Sequence, residues 1–549
     1  MTIVAERPAV AERLAAHYFA HTWLLTRMMM RRERVAVVVT VVLFVVINIA
    51  TAASIAASYS TPQQRLLLIT GPGSNTAFRF LLGPLEHVDS TASLTVWRAG
   101  LFMVAALAVC AALMVVRQTR KEEELGRTEL IRSGATGILA ASASAAIVSV
   151  GFCVIVALGM SLMLIPLGAG SADAGLGVVA VFAQYASTGA AAVGIALVTA
   201  QFAATSHIAN LAASAVILVG YLLRGVGDAI GGWSWLRWIT PMGWAQLIDP
   251  YGANNLWYAL ASFAFCAVGA IIAGWIALHR DLGSGLIHPR PGPAGTTRLG
   301  SIGAVVSRLN RTLLASWCYG IGVYALIVGF MQPSVDELAE GNEQVNRVLR
   351  ESGLDGTLTD LFGFTMLSFL AVAASAWPVN LAERMRGEES AGRTEELLGT
   401  PLSRTRFYLA HVIVATLGVI ALLLVAASAI TIGNGIAGGG WATPAAHAFN
   451  SASVQIPAAL VIGTAGIALY GVKPALVHAG WLVVVGALFL GPLSGMFDLP
   501  GWLTDLSPFT HTPAAPLEPV RALPIVVMLC VAALFTVAGL ISFRRRNIG

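Results

Sequence analysis

Two short segments of the sequence concentrate the side chains that could do chemistry. The first, RKEEELGRTEL, begins at Arg120, and the second, RGEESAGRTEE, begins at Arg386. Carboxylates next to arginines can form ion pairs within a helix or present complementary charge to a partner protein. Seven residues recur 266 positions later: Arg120, Glu122, Glu123, Gly126, Arg127, Thr128 and Glu129 correspond to Arg386, Glu388, Glu389, Gly392, Arg393, Thr394 and Glu395. These segments are therefore the candidate functional site.

No motif for catalysis or nucleotide binding accompanies these segments. A G-x-x-x-x-G-K-[ST] phosphate loop needs a lysine after glycines, and neither Lys121 nor Lys473 meets that requirement. The G-x-G-x-x-G run at 433–438 has no predicted strand before it, so it indicates an ordinary loop. The cysteines and histidines lack zinc-binding spacing, and H-E-x-x-H and G-x-S-x-G are absent. We expect a chain that is not an enzyme and has no metal or cofactor of its own.

The composition indicates what kind of molecule must position the two segments. Of 549 residues, 57% are hydrophobic and 11% are charged, and the mean hydropathy is +0.77. Soluble domains carry about 25% charged residues, and a single core stops growing near about 250–300 residues. The pI of about 9.1 is high enough to suggest nucleic-acid binding. The 33 basic residues, however, cluster between apolar runs instead of covering one face, so they indicate membrane topology. The composition excludes soluble enzymes, disordered tails and nucleic-acid-binding proteins, and it predicts a polytopic helical membrane protein.

Twelve apolar runs have the roughly 20-residue length that a membrane-spanning helix needs. They lie near residues 35–58, 98–116, 137–167, 174–203, 207–225, 256–278, 313–331, 359–382, 407–431, 453–471, 474–496 and 523–543. Most basic residues fall in segments that this topology places on one side, and the positive-inside rule makes that side cytoplasmic. We predict an all-α polytopic membrane protein with both termini in the cytoplasm.

An internal duplication relates the two halves of the chain. WLRWITPM from Trp235 and WLTDLSPF from Trp502 form a second matching pair, 267 residues apart. Because both charged segments share one predicted side, the halves are predicted to be parallel six-helix repeats. The predicted bounds are 1–278 for the first half, 279–300 for a Pro-, Gly- and Arg-rich cytoplasmic linker, and 301–549 for the second half.

Amphipathic stretches precede the first span of each half. In residues 10–30, apolar side chains such as Leu14 and Trp23 alternate with charged ones such as Arg27, and residues 302–316 repeat the pattern. Helices of this kind usually lie in the membrane interface. A simple flank of the first span explains either copy alone, whereas the repetition favours a dedicated interfacial helix.

Three interpretations of the duplicated charged segment follow from its residues. Positive-inside topology needs Arg and Lys but gives no reason for paired carboxylates at one spacing. A salt-bridged loop helix explains them structurally, since Glu123 and Arg127 lie four positions apart. A docking surface for a cytoplasmic partner explains both the charge and its repetition, and we favour it because exposed charges suit electrostatic complementarity.

The segment EESAGRTEELLGTPLSRTRFYLAH at 388–411 resembles the coupling helix of ABC-2-type exporter permeases. The fused twelve-span arrangement is similar to actinobacterial exporters of polyketide antibiotics and to mycobacterial multidrug efflux permeases. The first copy departs from the pattern, since it reads LIRSGATG where the second reads LLGTPLSR. The resemblance implies an exporter energised by two copies of a separate ATPase, which dock at 117–136 and 383–406 and hold the ATP and Mg²⁺. It also implies coupling roles for Glu122, Glu123, Gly126, Arg127, Glu129, Glu388, Glu389, Gly392, Arg393 and Glu395.

In that family the second and fifth spans of each half line the substrate path. The resemblance therefore implies the path residues Phe102, Met103, Asn210, Tyr221, Phe364, Met366, Phe369, His478 and Trp481, although helix packing or lipid contact explains each equally well. No acid or base lies securely at the centre of a predicted span, which argues against proton or sodium coupling. This scarcity suits hydrophobic or amphipathic substrates such as drugs, antibiotics or lipids.

An acidic loop at 332–360 could attract cationic substrates, but a solvated acidic cap is the simpler interpretation. Two other functions stay open: a secondary transporter driven by an ion gradient, and a non-transporting membrane sensor that signals to a partner. An ion-coupled carrier would work without ATP and stop when the gradient collapses, whereas a sensor would move no substrate.

Overall fold

The computed structural model describes residues 18–547, apart from 71–72, 74–75, 169–170, 172, 230–231, 282, 284, 287–299, 341–356 and 495–499. None of these described residues forms a β-strand, and the predicted all-α class is confirmed. The chain divides into two compact units, Met1–Gly292 and Pro293–Gly549, which we call the N-unit and the C-unit. The linker at 279–300 lies largely outside the described residues, and the predicted domain bounds stay a prediction.

The described part of the N-unit contains twelve α-helices. They are α1 (Thr22–Ser58), α2 (Pro62–Thr70), α3 (Thr76–Leu82), α4 (Thr91–Thr95), α5 (Leu101–Gln118), α6 (Arg120–Glu124), α7 (Arg127–Arg132), α8 (Ala140–Met163), α9 (Ala174–Phe202), α10 (Ser206–Ala229), α11 (Pro241–Leu247) and α12 (Trp257–His279). A π-helical turn joins α4 to α5, so the second candidate span runs from Thr91 to Glu124.

The described part of the C-unit contains eight α-helices in a corresponding order. They are α13 (Ile302–Glu340), α14 (Leu358–Ser390), α15 (Arg393–Leu398), α16 (Arg404–Ile436), α17 (Ala442–Val472), α18 (Ala479–Leu490), α19 (Gly501–Thr504) and α20 (Ala522–Arg545). In both units a long first helix is followed by the second span, a short helix after a glycine, three further apolar helices, a short helical segment and a last span.

Eleven of the described helices are long and apolar enough to cross a membrane. The difference from the twelve predicted spans lies at 474–496, where the structure has a shorter apolar segment, Pro474–Leu490. This segment opens with a 3₁₀ turn, Pro474–His478, and α18 ends before Gly491. The segment begins at Pro474 as predicted, but it ends at Leu490 instead of residue 496, because glycine at 491 favours a helix end.

The two amphipathic stretches join the first spans differently. Helix α13 extends over 39 residues without a break between amphipathic and apolar parts, so the simple flank is correct for residues 302–316. In the N-unit, a turn at residues 19–21, where His21 has φ +60°, precedes the 37-residue helix α1. A separate interfacial helix before α1 stays a prediction, because residues 10–17 lie outside the described part of the chain.

The acidic loop predicted at 332–360 also lies largely outside the described residues. Its last acid, Asp360, stands in the first turn of α14, where it forms a reciprocal capping box with Thr357. The same carboxylate lies 2.6 Å from the Nδ1 atom of His447. Asp360 is thus part of a helix start, and the proposed attraction of cations by the loop stays a prediction.

Small residues allow close packing in the core of the N-unit. Helix α9 contacts α5, α8 and α12, and all of its residues 185–194, YASTGAAAVG, are buried. A Cβ atom added to Gly269 of α12 would lie 2.9 Å from the Cα atom of Gly194. These two backbones approach too closely for larger side chains, which explains the small residues at this contact.

The repeated WL…[TS]P motif starts short helical segments. Thr240 is the N-cap of α11, and its hydroxyl accepts a 3.3 Å hydrogen bond from the Gly243 amide. Pro241 follows at the first helical position, where its missing N–H has no cost. In the C-unit, Ser507 precedes Pro508 at the start of a 3₁₀ turn. The second repeated motif therefore has a structural role at helix starts.

Candidate functional site in the coupling loops

A left-handed glycine shapes the loop after the second span in each unit. Gly126 has φ +71° and separates α6 from α7, and Gly392 has φ +77° and separates α14 from α15. Residues with a Cβ atom are strained in this conformation, which explains why glycine occupies both positions. We call residues 120–132 and 386–398 the coupling loops.

An ion pair crosses each of these glycines. Glu122 lies 3.3 Å from Arg127. Glu388 pairs with Arg393 in the corresponding way, and its carboxylate raises the pKa of Arg393 above the ordinary value. The alternative of a salt-bridged loop helix placed this pair between Glu123 and Arg127. The structure shows an ion pair in the loop, but the turn at Gly126 brings Arg127 to Glu122 instead.

The neighbouring glutamate connects each coupling loop to the end of the sixth span. In the N-unit, Glu123 lies 2.8 Å from Arg280, the residue that follows α12. In the C-unit, Glu389 accepts from Arg546, the residue that follows α20, through both carboxylate oxygens at 2.6 Å. Each glutamate is 157 residues from its arginine. We call these two ion pairs the clamps.

Each clamp is largely buried and has a third partner. The exposed fraction of the side chain is 8% for Glu123 and 13% for Glu389. Arg120 lies 2.8 Å from Glu123 and also donates to the carbonyl of Ala204. Tyr470 donates a 2.6 Å hydrogen bond to Glu389. Several charge-assisted partners offset the desolvation of a buried carboxylate, whereas loss of one partner leaves that cost uncompensated.

The ends of the second spans also contact the fifth helical segment. In the N-unit, Glu124 accepts hydrogen bonds from the amide and the hydroxyl of Ser206, at 3.1 and 2.6 Å, at the start of α10. In the C-unit, Glu383 lies 3.1 Å from Nδ1 of His478 and accepts a 2.9 Å hydrogen bond from Trp481. A displacement of either coupling loop would therefore act on two spans of its own unit.

The two coupling loops are similar but not identical. Arg120 binds the clamp glutamate, whereas its counterpart Arg386 contacts His478. The counterpart of Glu124 is Ser390, which donates to a carbonyl of its own helix. The two loops therefore differ in contacts even where the residue type is the same, as it is for Arg120 and Arg386.

The exposed side chains of the coupling loops lie on the short helices. Glu129 is exposed next to Leu130, which is 76% exposed. Glu395 and Glu396 are exposed next to Leu397. An apolar side chain among charges can bind a partner through desolvation and complementary charge. Arg127 and Arg393 of the predicted coupling set are exposed as well, with 54% and 59% of their side chains accessible. These exposed residues can contact a partner directly, and the coupling role of the whole set stays a prediction.

The predicted path residues of the N-unit lie on α5 and α10. Phe102 is 41% exposed and stacks on Tyr221, with ring centroids 5.8 Å apart. Tyr221 is buried, and its hydroxyl donates to the carbonyl of Leu81. Met103 and Asn210 are half-buried. The structure brings Phe102 and Tyr221 together, and contact of these residues with a substrate stays a prediction.

Three predicted path residues of the C-unit lie on one stretch of α14. Phe369 lines an apolar groove of about 410 Å³ together with Trp317 and Tyr324 of α13. The hydroxyl of Tyr324 lies 3.7 Å from the sulfur of Met366. Phe364 is half-buried one turn earlier. Among the cavities described, this groove is the largest that a predicted path residue lines. Contact of a substrate with it stays a prediction.

The other two predicted path residues of the C-unit lie beside the coupling loop. His478 ends the 3₁₀ turn before α18, and its side chain is 63% exposed. Trp481 stands in the first turn of α18 and binds Glu383. Both side chains therefore contact the end of the second span, which carries the coupling loop. The hydrophobic pattern of the fifth span did not indicate that they lie there.

The structure shows a buried ion pair in the N-unit that the sequence patterns did not indicate. Arg224 and Asp228 of α10 are fully buried, and their side chains lie 3.2 Å apart. Arg237 and Gln246 also donate to Asp228, at 3.4 and 3.0 Å. The predicted span ended at residue 225, but α10 continues to Ala229. Opposite charges four positions apart were the available signal.

The chain is similar to a known family of membrane proteins over most of its length. The family described as "Multidrug efflux system permease Rv1217c, C-terminal domain" matches residues 299–544. The multidrug efflux system permease protein Rv1217c of Mycobacterium tuberculosis (strain ATCC 25618 / H37Rv) is 30% identical over 502 residues. The match covers 90% of this chain and 89% of that protein, so it includes both units and both coupling loops.

Proposed function

Because the chain belongs to the family of the mycobacterial multidrug efflux system permease Rv1217c, we propose that it is the transmembrane subunit of an ATP-driven exporter. Its substrates are hydrophobic or amphipathic drugs, antibiotics or lipids. It resides in the bacterial inner membrane with both termini in the cytoplasm. The chain itself is a permease, and the ATP and Mg²⁺ belong to a separate ATPase.

The observation that carries this proposal is the duplicated coupling loop. In each unit, a left-handed glycine presents a short helix with exposed acids next to an exposed leucine. A solvated loop needs only charge, whereas a surface that combines charge with an exposed leucine, twice at one spacing, suits a protein partner. Two such surfaces in one chain support two copies of the ATPase, one for each loop.

The clamps supply a physical route from the ATPase to the spans. When the ATPase displaces the helix α7, Glu123 transmits that displacement to Arg280 at the end of α12, since the two side chains are bound at 2.8 Å. Glu389 and Arg546 do the same in the C-unit. Displacement of both units by ATPase closure would then open the path to the opposite side of the membrane.

Affinity purification of the tagged full-length chain from its native membranes tests the proposal. We expect an ATP-binding cassette subunit, identified by mass spectrometry, and ATP hydrolysis in the eluate. Charge reversal of Glu129 and Glu395 together should remove at least about 90% of this subunit, since like charges at an interface repel. Glu518→Arg is the matched control, because Glu518 is also exposed in the C-unit but lies outside the coupling loops.

Retention of the ATPase by the Glu129→Arg, Glu395→Arg double variant would refute docking on the short helices. Absence of any ATPase from the wild-type eluate, with the chain intact, would refute the ATP-driven function as a whole. These two outcomes are distinct because the first concerns the location of the surface and the second the existence of the partner.

One observation favours the ion-coupled alternative. The buried Arg224–Asp228 pair places an ionisable group inside a span, and such groups often mark ion pathways. Asp228 is held by two arginines and a glutamine, so its charge is already compensated within the N-unit. The pair therefore suits a structural role better than a carrier of protons, and the energy source of transport decides between the two functions.

A further inference from the structure

The first and second spans of the C-unit enclose an apolar groove that follows their length. Its volume is about 410 Å³, and its wall on α13 is formed by four apolar side chains, Leu313, Trp317, Ile321 and Tyr324. These residues lie three or four positions apart, so they share one face of the helix. From Leu313 to Tyr324 the helix rises about 16 Å, at roughly 1.5 Å per residue. This length matches one leaflet of a hydrocarbon core that is about 30 Å thick.

The groove has an apolar wall and is open to its surroundings. Ser316 also lines it, but the Ser316 hydroxyl donates a 2.9 Å hydrogen bond to the carbonyl of Thr312 in its own helix. A Cβ atom added to Gly320, another lining residue, would have no neighbouring heavy atom within 4 Å. The most apolar stretch of α13 is 22% buried, compared with 67% for that of α14. An apolar groove on an exposed membrane span is accessible to lipid.

A cation lies beyond one end of this groove. Arg384 of α14 donates a 2.7 Å hydrogen bond to the carbonyl of Leu309, one turn before Leu313. Arg384 also lies about three turns beyond the lining residue Ala373 on the same face of α14. Its hydrogen bonds to the described residues involve only Nη1, whereas a guanidinium has five N–H donors. Arg384 can therefore bind a second acceptor at the groove end that is nearer to the coupling loop.

The surrounding charges favour an anion at this end of the groove. Arg308 and Arg311 are exposed on the adjoining turns of α13, on the side opposite the groove. Glu388, one turn after Arg384, forms an ion pair with Arg393, so its charge is compensated. The arginines therefore leave a positive potential here. Clusters of basic residues at the end of a span attract anionic phospholipids.

We propose that this groove binds a phospholipid of the leaflet next to the coupling loop, with one acyl chain along α13 and the phosphate at Arg384. Lipid tails are as apolar as the groove, so the acyl chain alone gains little over the bilayer. The charge-assisted hydrogen bond to the phosphate supplies the preference for this position. In this arrangement Phe369 contacts a resident lipid and not a transported molecule. The site does not depend on the ATP-driven function, because it lies within the C-unit and needs no ATPase.

Native mass spectrometry of the full chain in detergent tests the headgroup contact. The probes are phosphatidylglycerol and phosphatidylcholine with identical palmitoyl and oleoyl chains, since both carry the phosphate but only the first has a net negative charge. We expect saturable binding of phosphatidylglycerol that is at least about threefold tighter. Arg384→Gln should weaken this binding about fivefold. Arg406→Gln is the matched control, because Arg406 is exposed in the same unit but does not line the groove.

Photo-crosslinking tests the position of the acyl chain. A phosphatidylglycerol with a diazirine in one acyl chain is photolysed with the full chain, and mass spectrometry identifies the labelled peptides. We expect labels between Leu313 and Tyr324 and next to Phe369. Gly320→Phe should reduce these labels at least about fivefold, because the phenyl ring fills the open space at Gly320. Gly303→Phe is the matched control, since Gly303 of α13 also has open space but lies outside the groove.

Four results would overturn the proposal. Equal affinity for the two lipids, or equal weakening in Arg384→Gln and Arg406→Gln, would show that the headgroup is not bound at Arg384. Absence of labels from the groove of the wild-type chain, a measurement that requires no variant to fold, would exclude the acyl chain. Displacement of the lipid by ethidium would identify the groove as part of the substrate path.

Discussion

The acids of one repeated motif have different environments, and this separates their roles. Glu123 and Glu389 are 8% and 13% exposed and are held by arginines at the ends of the sixth spans. Glu129 and Glu395 point to solvent on the short helices. A buried carboxylate is costly without its partners, whereas an exposed one keeps its hydration. The clamp glutamates therefore position other residues, whereas the exposed glutamates are available to the proposed ATPase.

Glu389→Gln should separate docking from transport. The amide keeps the shape of the side chain but removes the charge that holds Arg546, so the free energy of unfolding should fall by about 1–3 kcal/mol. We expect ATPase association to remain near the wild-type level, while transport of a fluorescent dye falls at least about 10-fold because the sixth span is no longer connected. Glu395→Gln in the same loop should give the opposite pattern.

A charge swap supplies the control for this prediction. Glu389→Arg combined with Arg546→Glu restores opposite charges across the clamp and should recover part of the lost transport. No recovery in a folded double variant, or a loss of ATPase association in Glu389→Gln alone, would contradict the assignment of the clamp as a positioning contact.

At the scale of helices, periodicity and length predicted most elements but not their exact ends. Apolar runs predicted where the spans lie. The observed helix ends differ from the predicted ones where particular residues stop or extend a helix. Gly491 ends one predicted span before residue 496, while α10 extends past its predicted end to include Asp228, whose charge Arg224 compensates. The clamps could not be predicted, since a pair separated by 157 residues leaves no local signal in one sequence.

Gly392→Ala should destabilise the second coupling loop. The space around Gly392 is open, so the penalty arises only from the left-handed conformation, with φ +77°, and amounts to about 1 kcal/mol. Gly387→Ala is the matched control, because Gly387 also has open space but lies in the helix α14. Alanine favours helices there, so this variant should be neutral or slightly stabilising. Equal thermal unfolding midpoints and equal ATPase association of both variants would contradict the role of the glycine turn.

Gly269→Ala should loosen the packing of α9 against α12. The new Cβ atom would lie 2.9 Å from backbone atoms of Gly194, and backbone cannot yield as a side chain can. We expect a loss of about 1–3 kcal/mol in the free energy of unfolding, measured in detergent by thermal denaturation. In the same helix, Gly274→Ala places its Cβ atom 3.8 Å from the Leu139 side chain, an ordinary contact. This control should unfold like the wild type.

At the scale of the whole molecule, repetition is the main functional signal. The sequence alone indicated two related halves through two motifs, and the structure adds the clamp, whose arginines lie at the same spacing in both units. The contact between the coupling loop and the last span recurs in each unit. This recurrence suits a transporter on which a partner acts at two sites. The substrate path could not be predicted from the sequence in the same way. Apolar residues that pack against another helix and apolar residues that contact a substrate form the same sequence pattern.

The energy source of transport distinguishes an ATP-driven exporter from an ion-coupled carrier. Inside-out vesicles that contain the chain and its co-purified ATPase should accumulate a fluorescent amphipathic dye such as ethidium when ATP is added. We predict that this accumulation persists with a protonophore and stops without ATP. Accumulation that needs only an imposed proton gradient, and collapses with the protonophore while ATP is present, would contradict an ATP-driven exporter.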